Sequence, residues 1–123
     1  MTTPLAGKRV LIVEDHFLLA EALADCIADA GAEVVGPCPS VEAALASLDQ
    51  AGRVDVAILD VMLDRQTSEP VADRLRAMGS PVLLMTGYDD LSMSQRLRGL
   101  PRCFKPFERG SLLRKLGELV VPN

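Results

Sequence analysis

The run Val10-Leu11-Ile12-Val13-Glu14-Asp15 places four aliphatic residues directly before two acidic ones. The aliphatic part has no polar alternation, which is typical of a strand covered on both faces of a parallel sheet. Apolar residues from Leu19 to Ala30 then recur at helical spacing, and Gly31 suits the end of a helix. Residues 10–31 therefore predict a first β-α unit.

The same alternation recurs four more times along the chain. Further strands are predicted at Val34–Val35, Val54–Leu59, Val82–Met85 and Arg102–Phe104. Further helices are predicted between the N-cap Ser40 and Gly52, from Glu69-Pro70 to Gly79, weakly over Asp89–Arg98, and over Leu112–Val120. This order indicates the α/β class, as a three-layer (βα)5 sandwich around a parallel five-stranded sheet.

The composition excludes several classes of protein. The chain has 123 residues, of which 49% are hydrophobic and 24% charged, and its net charge is -4. These values fit one compact soluble domain rather than a disordered or fibrous chain. The acidic balance disfavours a nucleic-acid partner. No apolar run approaches the ~20 residues of a membrane span and the N-terminus has no secretory pattern, so we expect a cytoplasmic protein without a membrane partner.

The three cysteines, Cys26, Cys38 and Cys103, are widely spaced and form no C-x-x-C pair. This spacing indicates neither a disulfide framework nor a zinc site. We expect them to be small buried side chains.

Polar side chains follow four of the predicted strands at the end where open α/β sheets bind ligands. They are Glu14-Asp15, Asp60, Thr86-Gly87 and Lys105-Pro106. The first turn has no glycines to cradle a nucleotide phosphate, and its two acids would repel one. Two carboxylates ~4 Å apart repel by roughly 4 kcal/mol at an effective dielectric near 20, so the cluster requires a divalent cation or Lys105. Ligation by oxygen alone suits Mg²⁺.

These residues, in this order and spacing, resemble the receiver domain of two-component response regulators over essentially the whole chain. The resemblance rests on Glu14-Asp15, Asp60, Thr86 and Lys105-Pro106-Phe107. It implies a CheY-like, flavodoxin-like strand order of 2-1-3-4-5, in which the first and third strands are neighbours. Asp15 and Asp60 would then meet at one edge of the sheet.

The resemblance also implies a role for each residue. Asp60 would accept a phosphoryl group from a histidine, with Thr86 and Lys105 contacting the phosphoryl oxygens. Mg²⁺ would be held by Glu14, Asp15, Asp60 and the backbone carbonyl of Met62, with Glu14 acting through water. Thr86 and Tyr88 would form the switch that responds to phosphorylation. The Lys105–Pro106 peptide would be cis.

The sequence departs from the typical receiver in two places. Arg102 stands three residues before the lysine, where an aromatic switch residue is usual, and Tyr88 is the candidate replacement. The usual proline and glycine are missing from residues 63–67. In addition, Pro81–Tyr88 is similar to the Pro-Phe-x-Phe-Ala-Thr-Gly-Tyr motif of a receiver subgroup linked to general stress signalling, often single-domain.

We therefore interpret residues 1–123 as a single receiver domain with a core of about 8–120, which is not an enzyme. Its expected partners are a sensor histidine kinase or histidine phosphotransfer protein and a downstream protein, and it would be a monomer or a weak homodimer. Two alternatives stay open: an unphosphorylated pseudo-receiver that only binds, and a haloacid dehalogenase-like phosphohydrolase. The latter expects a second Asp where Met62 stands. A fragment of a longer protein would read the same way.

Overall fold

The computed structural model of the chain describes residues 4–63, 65–87 and 95–120. A parallel five-stranded sheet forms its centre. The strands of this sheet are β1 (Arg9–Val13), β2 (Glu33–Cys38), β3 (Val56–Asp60), β6 (Val82–Thr86) and β7 (Arg102–Phe104). Their spatial order is β2-β1-β3-β6-β7 and all neighbouring pairs are parallel. The predicted flavodoxin-like order is confirmed.

Within these described ranges, five helices cover the two faces of the sheet. They are α1 (Phe17–Asp29), α2 (Val41–Ala51), α3 (Glu69–Ala77), α4 (Gln95–Arg98) and α5 (Arg109–Val120). Buried residues of α2, α3 and α4 belong to one hydrophobic cluster, and those of α1 and α5 to the other. The predicted three-layer sandwich is therefore present.

Alternation along each strand explains the unbroken aliphatic runs. In β1, Leu11 and Val13 belong to the cluster under α2 and α3, whereas Val10 and Ile12 belong to the cluster under α1 and α5. Because both faces are covered by helices, both sets of side chains are fully buried. The three cysteines are free and buried, as expected.

Local signals at the helix ends act as the sequence predicts. The Ser40 side chain accepts a hydrogen bond from the backbone N–H of Ala43 at 3.1 Å, which caps α2. Pro70 lies in the first turn of α3, and Gly79 follows its end with a φ of 78°. A left-handed φ of this kind favours glycine.

Strand β2 is longer than the predicted Val34–Val35. It continues through a cis Gly36–Pro37 bond to Cys38, which pairs with Val13 after an irregularity in the register. Gly36 has a φ of 92°, and a Cβ there would lie 3.0 Å from the Ile12 carbonyl oxygen. The strand therefore depends on glycine at that position.

A second, two-stranded sheet was not predicted. After Asp60 the chain forms an antiparallel hairpin of β4 (Met62–Leu63) and β5 (Gln66–Thr67), which the sequence analysis did not separate from the loop before α3. The turn contains Arg65 with a φ of 71°, a conformation that a hairpin turn usually gives to Gly or Asn. Because residues 63–67 contain no glycine, the sequence did not indicate a hairpin turn there.

The fourth helix is described only in part. The predicted helix over Asp89–Arg98 corresponds to Gln95–Arg98 where the structure describes it, and residues 88–94 lie outside the described residues. Across the described ranges, no helix has both the length and the apolar character that crossing a bilayer requires.

Candidate functional site

The acidic residues meet because β1 and β3 are paired neighbours. Val13 is in register with Leu59, so Glu14 and Asp60 come next at the same edge of the sheet. Glu14, Asp15 and Asp60 each offer an oxygen, and these atoms all lie within 4.8 Å of one another. The structure thus brings together the three carboxylates that the sequence analysis grouped.

The carboxylates differ in exposure. Glu14 and Asp60 are 2% and 4% exposed, whereas Asp15 is exposed at the mouth of the cluster. The backbone N–H of His16 donates to Glu14 Oε2 at 3.0 Å, which holds the glutamate in place. His16 itself is the exposed residue before α1.

Lys105 supplies the cationic contact of this cluster. Its Nζ lies 2.6 Å from Asp60 Oδ1 and 3.3 Å from Glu14 Oε1. A single ammonium therefore faces two buried carboxylates, with Asp15 beside them. The side chains of the cluster carry an excess of negative charge when all are ionised.

This excess of negative charge affects the pKa values of Asp60 and Lys105. The pKa of Asp60 is raised to about 8, mainly by burial and also by the Glu14 carboxylate, although the Lys105 ammonium acts in the opposite direction. Burial of Lys105 lowers its pKa, but its contacts with Asp60 and Glu14 outweigh this and raise the pKa overall. One ammonium is thus insufficient to keep the pKa of Asp60 near its ordinary value.

The residues present fit a small divalent cation. Among the described residues, Glu14 Oε1 is buried and accepts no hydrogen bond, and its contact with Lys105 is electrostatic. This carboxylate oxygen and the two further carboxylates form an all-oxygen donor set, which suits Mg²⁺ rather than a softer metal. A cation here would also offset the charge excess.

Thr86 and Lys105 are brought to the same edge by the pairing of β6 and β7. Asp60 is in register with Met85, which places the buried Thr86 one residue beyond it. The backbone N–H of Lys105 donates to the Thr86 carbonyl at 2.8 Å, and the Lys105–Pro106 peptide is cis. The backbone of the lysine is therefore anchored to the threonine.

Arg102 stands at the usual position of the aromatic switch, and Tyr88 is the candidate replacement. Tyr88 lies outside the described residues. Arg102 is half-buried in β7, its guanidinium donates to the Arg98 carbonyl, and its own carbonyl accepts from Lys115 Nζ at 2.9 Å. Arg102 thus connects β7 to the end of α4 and to the middle of α5.

Sequence reasoning missed the surroundings of the acidic cluster. A cavity of about 250 Å³ adjoins it, lined by Glu14, Asp15, Phe17, Ala20, Glu21, Pro37 and Pro39. Among the residues whose exposure is described, four large apolar side chains are exposed, namely Phe17, Leu18, Met62 and Phe104. All four lie within four residues of Glu14, Asp60 or Lys105 in the sequence, and that proximity was the available signal.

Comparison with known proteins identifies the family. The family model of the response regulator receiver domain matches residues 10–116. The chain belongs to this family. Its members are signalling regulators of two-component systems and not enzymes, which argues against the phosphohydrolase alternative.

The receiver is similar to several known proteins. The solution structure of SdrG from Sphingomonas melonis Fr1 is 37% identical with a TM-score of 0.82, over 94% of this chain and 98% of that chain. The BeF3-activated conformation of SdrG from Pseudomonas melonis Fr1 is also 37% identical, with a TM-score of 0.77 over the same shares, 94% and 98%. The transcriptional regulatory protein PdtaR of Mycobacterium tuberculosis is 26% identical over 110 residues, which are 86% of this chain and 53% of that protein. The receiver thus spans about half the length of the curated relatives it matches.

Proposed function

We propose that this receiver accepts a phosphoryl group on Asp60 from a phosphohistidine, with Mg²⁺ as cofactor, and signals by contact with other proteins. The observation that carries the proposal is the contact of Lys105 Nζ with Asp60 Oδ1 at 2.6 Å inside a cluster of three carboxylates. The donor would be a sensor histidine kinase or a histidine phosphotransfer protein, and the location would be cytoplasmic. We further propose that residues 1–123 act as one receiver domain.

The transfer step is a displacement at phosphorus. One Asp60 carboxylate oxygen forms the bond to phosphorus while the bond from phosphorus to the donor imidazole nitrogen breaks, and the electron pair of that bond stays on the nitrogen. If the other ring nitrogen carries a proton, the leaving group is neutral imidazole; otherwise the leaving nitrogen takes a proton from solvent. Asp60 must be ionised to attack, so its raised pKa has to be overcome by nearby positive charge.

Lys105 and Thr86 support the phosphoryl oxygens in this proposal. Lys105 already contacts Asp60, so it can follow charge as it moves from the carboxylate to the phosphoryl group. Thr86 is buried at the end of β6, and its hydroxyl is the group that would reorient on phosphorylation. Because Lys105 N–H donates to the Thr86 carbonyl, a movement of either residue reaches the other.

Mg²⁺ would supply charge neutralisation of the phosphoryl oxygens. Glu14, Asp15, Asp60 and the Met62 carbonyl are the proposed ligands. The buried Glu14 Oε1 that accepts no hydrogen bond within the described part of the chain supports Glu14 as a member of this set. Asp15 is exposed, so it faces the direction from which a hydrated cation would arrive.

Contact with a donor protein would be made beside the acceptor. Phe17 and Leu18 are 71% and 69% exposed at the start of α1, directly after the acidic turn. Exposed large apolar side chains at the rim of a reactive site favour protein contact over solvation. The cognate partner and the membership of the stress-signalling subgroup stay predictions.

The test is covalent modification. The protein is incubated with acetyl phosphate and Mg²⁺ and the intact mass is measured, with an expected gain of ~80 Da. The Asp60→Asn variant should gain nothing. Asp55→Asn, the same change just before β3 begins, should be modified as the unaltered protein is.

The pseudo-receiver alternative is decided by the same experiment. Lack of an Asp60-dependent adduct, in a protein that unfolds cooperatively, would favour a module that only binds. An equal adduct on Asp60→Asn would show that another residue is the acceptor.

A further inference from the structure

Two buried serines flank α3 and make the same kind of hydrogen bond at opposite ends of β3. Ser68, before α3, donates its hydroxyl hydrogen to the Val61 carbonyl at 3.1 Å, just after the acceptor Asp60. Ser80, after α3, donates to the Val54 carbonyl at 2.8 Å, before β3 begins. The two serines are 0% and 7% exposed. They therefore form a matched pair, of which only Ser68 is near the acidic cluster.

Ser68 does not use its hydroxyl as a helix cap. It precedes α3, yet its side chain makes no hydrogen bond to that helix, in contrast to Ser40 on α2. The Val61 carbonyl instead receives both the Ser68 hydroxyl at 3.1 Å and the Ser68 backbone N–H at 2.9 Å. The side chain is directed towards the acceptor loop at the expense of the helix end.

Two hydrogen bonds to one carbonyl fix the plane of the Val61–Met62 peptide. This bond is not among the cis peptides of the described residues, so it is trans and planar. The Met62 N–H therefore points opposite to the Val61 carbonyl, away from Ser68. Rotation of this peptide would break both hydrogen bonds.

The register of the hairpin leads to the same orientation of the Met62 backbone. The Val61 N–H donates to the Met85 carbonyl of β6, so Val61 and Ser68 share one hydrogen bond, from the Ser68 N–H to the Val61 carbonyl. They still occupy a hydrogen-bonded position of the ladder, and Met62 with Thr67 is the next pair. In an antiparallel ladder such pairs alternate, so Met62 and Thr67 are the pair without mutual hydrogen bonds. Both the N–H and the carbonyl of Met62 are thus turned outward from the hairpin.

We propose that Ser68 is a positioning residue of the acceptor site, which holds the Val61–Met62 peptide so that the outward backbone groups of Met62 are presented beside Asp60. This inference rests on the proposed function, in which the Met62 carbonyl is a ligand of Mg²⁺. Ser68 acts through Val61 and touches neither the cation nor the phosphoryl group. Residues 63–67 contain no proline that would restrict their backbone, and the hydrogen bond of the Ser68 hydroxyl restrains this loop instead.

The test compares binding with stability in the full chain. Mg²⁺ affinity is measured by titration calorimetry, and beryllium fluoride binding in excess Mg²⁺ is measured as a stand-in for the phosphoryl group. Ser68→Ala should weaken Mg²⁺ binding by about tenfold, the scale typical of residues that orient metal ligands. Ser80→Ala should change both affinities less than twofold, while each variant lowers the midpoint of urea unfolding to a similar degree.

A conservative variant separates the hydroxyl from the space it fills. Ser68→Cys keeps a donor at this position, although a weaker one on a somewhat larger side chain, so its Mg²⁺ affinity should lie between those of Ser68→Ala and the unaltered protein. The inference is wrong if Ser68→Ala binds Mg²⁺ and beryllium fluoride within twofold of the unaltered protein, or if Ser80→Ala weakens both equally. If the unaltered protein itself binds neither, the proposed function fails instead.

Discussion

The two edges of the central sheet, at the amino and carboxyl ends of its strands, differ in the balance of their charges. At the amino-terminal edge, Arg9 Nε lies 2.9 Å from Glu33 and Arg53 Nε lies 3.3 Å from Asp55, so two cations face two anions. At the carboxyl-terminal edge, Lys105 faces the buried Glu14 and Asp60 with Asp15 beside them. One edge is balanced and the other is not.

The difference distinguishes charges that are paired with each other from the charges of the candidate site. The balanced edge also satisfies backbone atoms, because the Arg9 guanidinium donates to the Ala51 and Arg53 carbonyls and Asp55 accepts from the Arg9 N–H at 2.8 Å. The unbalanced edge leaves Glu14 Oε1 without a hydrogen bond in the described part of the chain and raises the pKa of Asp60. Unfavourable burial of charge at one edge alone is a mark of a binding site.

Removal of the Lys105 charge should give the largest effect on stability. Lys105→Met leaves two buried carboxylates without their ammonium, and we expect a loss of about 2–3 kcal/mol at pH 8 in EDTA, measured by urea unfolding. The raised pKa of Lys105 means that its contribution is complete below its ordinary range and is lost as pH rises through the raised value. A loss below about 0.5 kcal/mol would show that the cluster does not depend on this ion pair.

Removal of the Asp60 charge should instead stabilise the protein without a divalent cation. Asp60 has a pKa of about 8 in the folded protein against an ordinary value of 3.8. Between pH 3.8 and about pH 8, the native state therefore keeps a proton on Asp60 that the unfolded state has released. Stability therefore falls as pH rises from about 4 to about 8, and Asp60→Asn avoids that fall. The pKa difference alone would correspond to roughly 5–6 kcal/mol, but the variant also leaves the Lys105 ammonium without ionised Asp60. We therefore expect a net gain of about 1–2 kcal/mol at pH 8.5 that disappears near pH 4.5.

The control for this prediction lies at the balanced edge. Asp55→Asn removes a carboxylate that accepts from the Arg9 N–H and pairs with Arg53, so it should destabilise by about 1 kcal/mol at pH 8.5. If Asp55→Asn and Asp60→Asn changed the free energy of unfolding in the same direction, the proposed difference between the two edges would be contradicted.

Mg²⁺ should stabilise the protein by mass action. At a concentration about thirty times its dissociation constant, the gain in unfolding free energy is about 2 kcal/mol. Glu14→Gln and Asp60→Asn should both reduce this gain in urea unfolding, because each removes a charged oxygen donor. A gain that survives both substitutions would place the cation elsewhere.

The smallest effect is expected at an exposed pair away from both edges. Arg74 Nη2 lies 2.5 Å from Asp49 Oδ1 between α3 and α2, and the two side chains are 39% and 64% exposed. Arg74→Ala should cost no more than about 0.5 kcal/mol, with no change in Mg²⁺ affinity, because solvent screens such a pair. A larger loss would mean that ion pairs in general, and not only the buried one of Lys105, govern stability here.

Most of the sheet was predictable because its signals are local. The run Val10–Val13 and its counterparts in β3 and β6 are apolar on both faces, and Ser40 and Gly79 mark helix ends by their own backbone chemistry. The strand order came from the family resemblance, since no local signal specifies which strands are neighbours. The extension of β2 past Pro37 was missed because it depends on pairing between Val13 and Cys38.

The candidate site was predictable in its residues but not in its balance of charge. Glu14, Asp60 and Lys105 follow strands whose ends must meet, so their proximity follows from the topology. Which carboxylate is buried and which is exposed depends on packing across the sheet. The hairpin at Arg65 and the use of the Ser68 hydroxyl are likewise tertiary features, because serine before a helix ordinarily indicates a cap.

The most direct test of the central claim is to locate the phosphoryl group. The protein is phosphorylated with acetyl phosphate and Mg²⁺, reduced with borohydride, which converts an aspartyl phosphate to homoserine, and mapped by peptide mass spectrometry. The account predicts homoserine at position 60 and an unchanged Asp55. Homoserine at another position, or none in a folded protein that binds Mg²⁺, would contradict it.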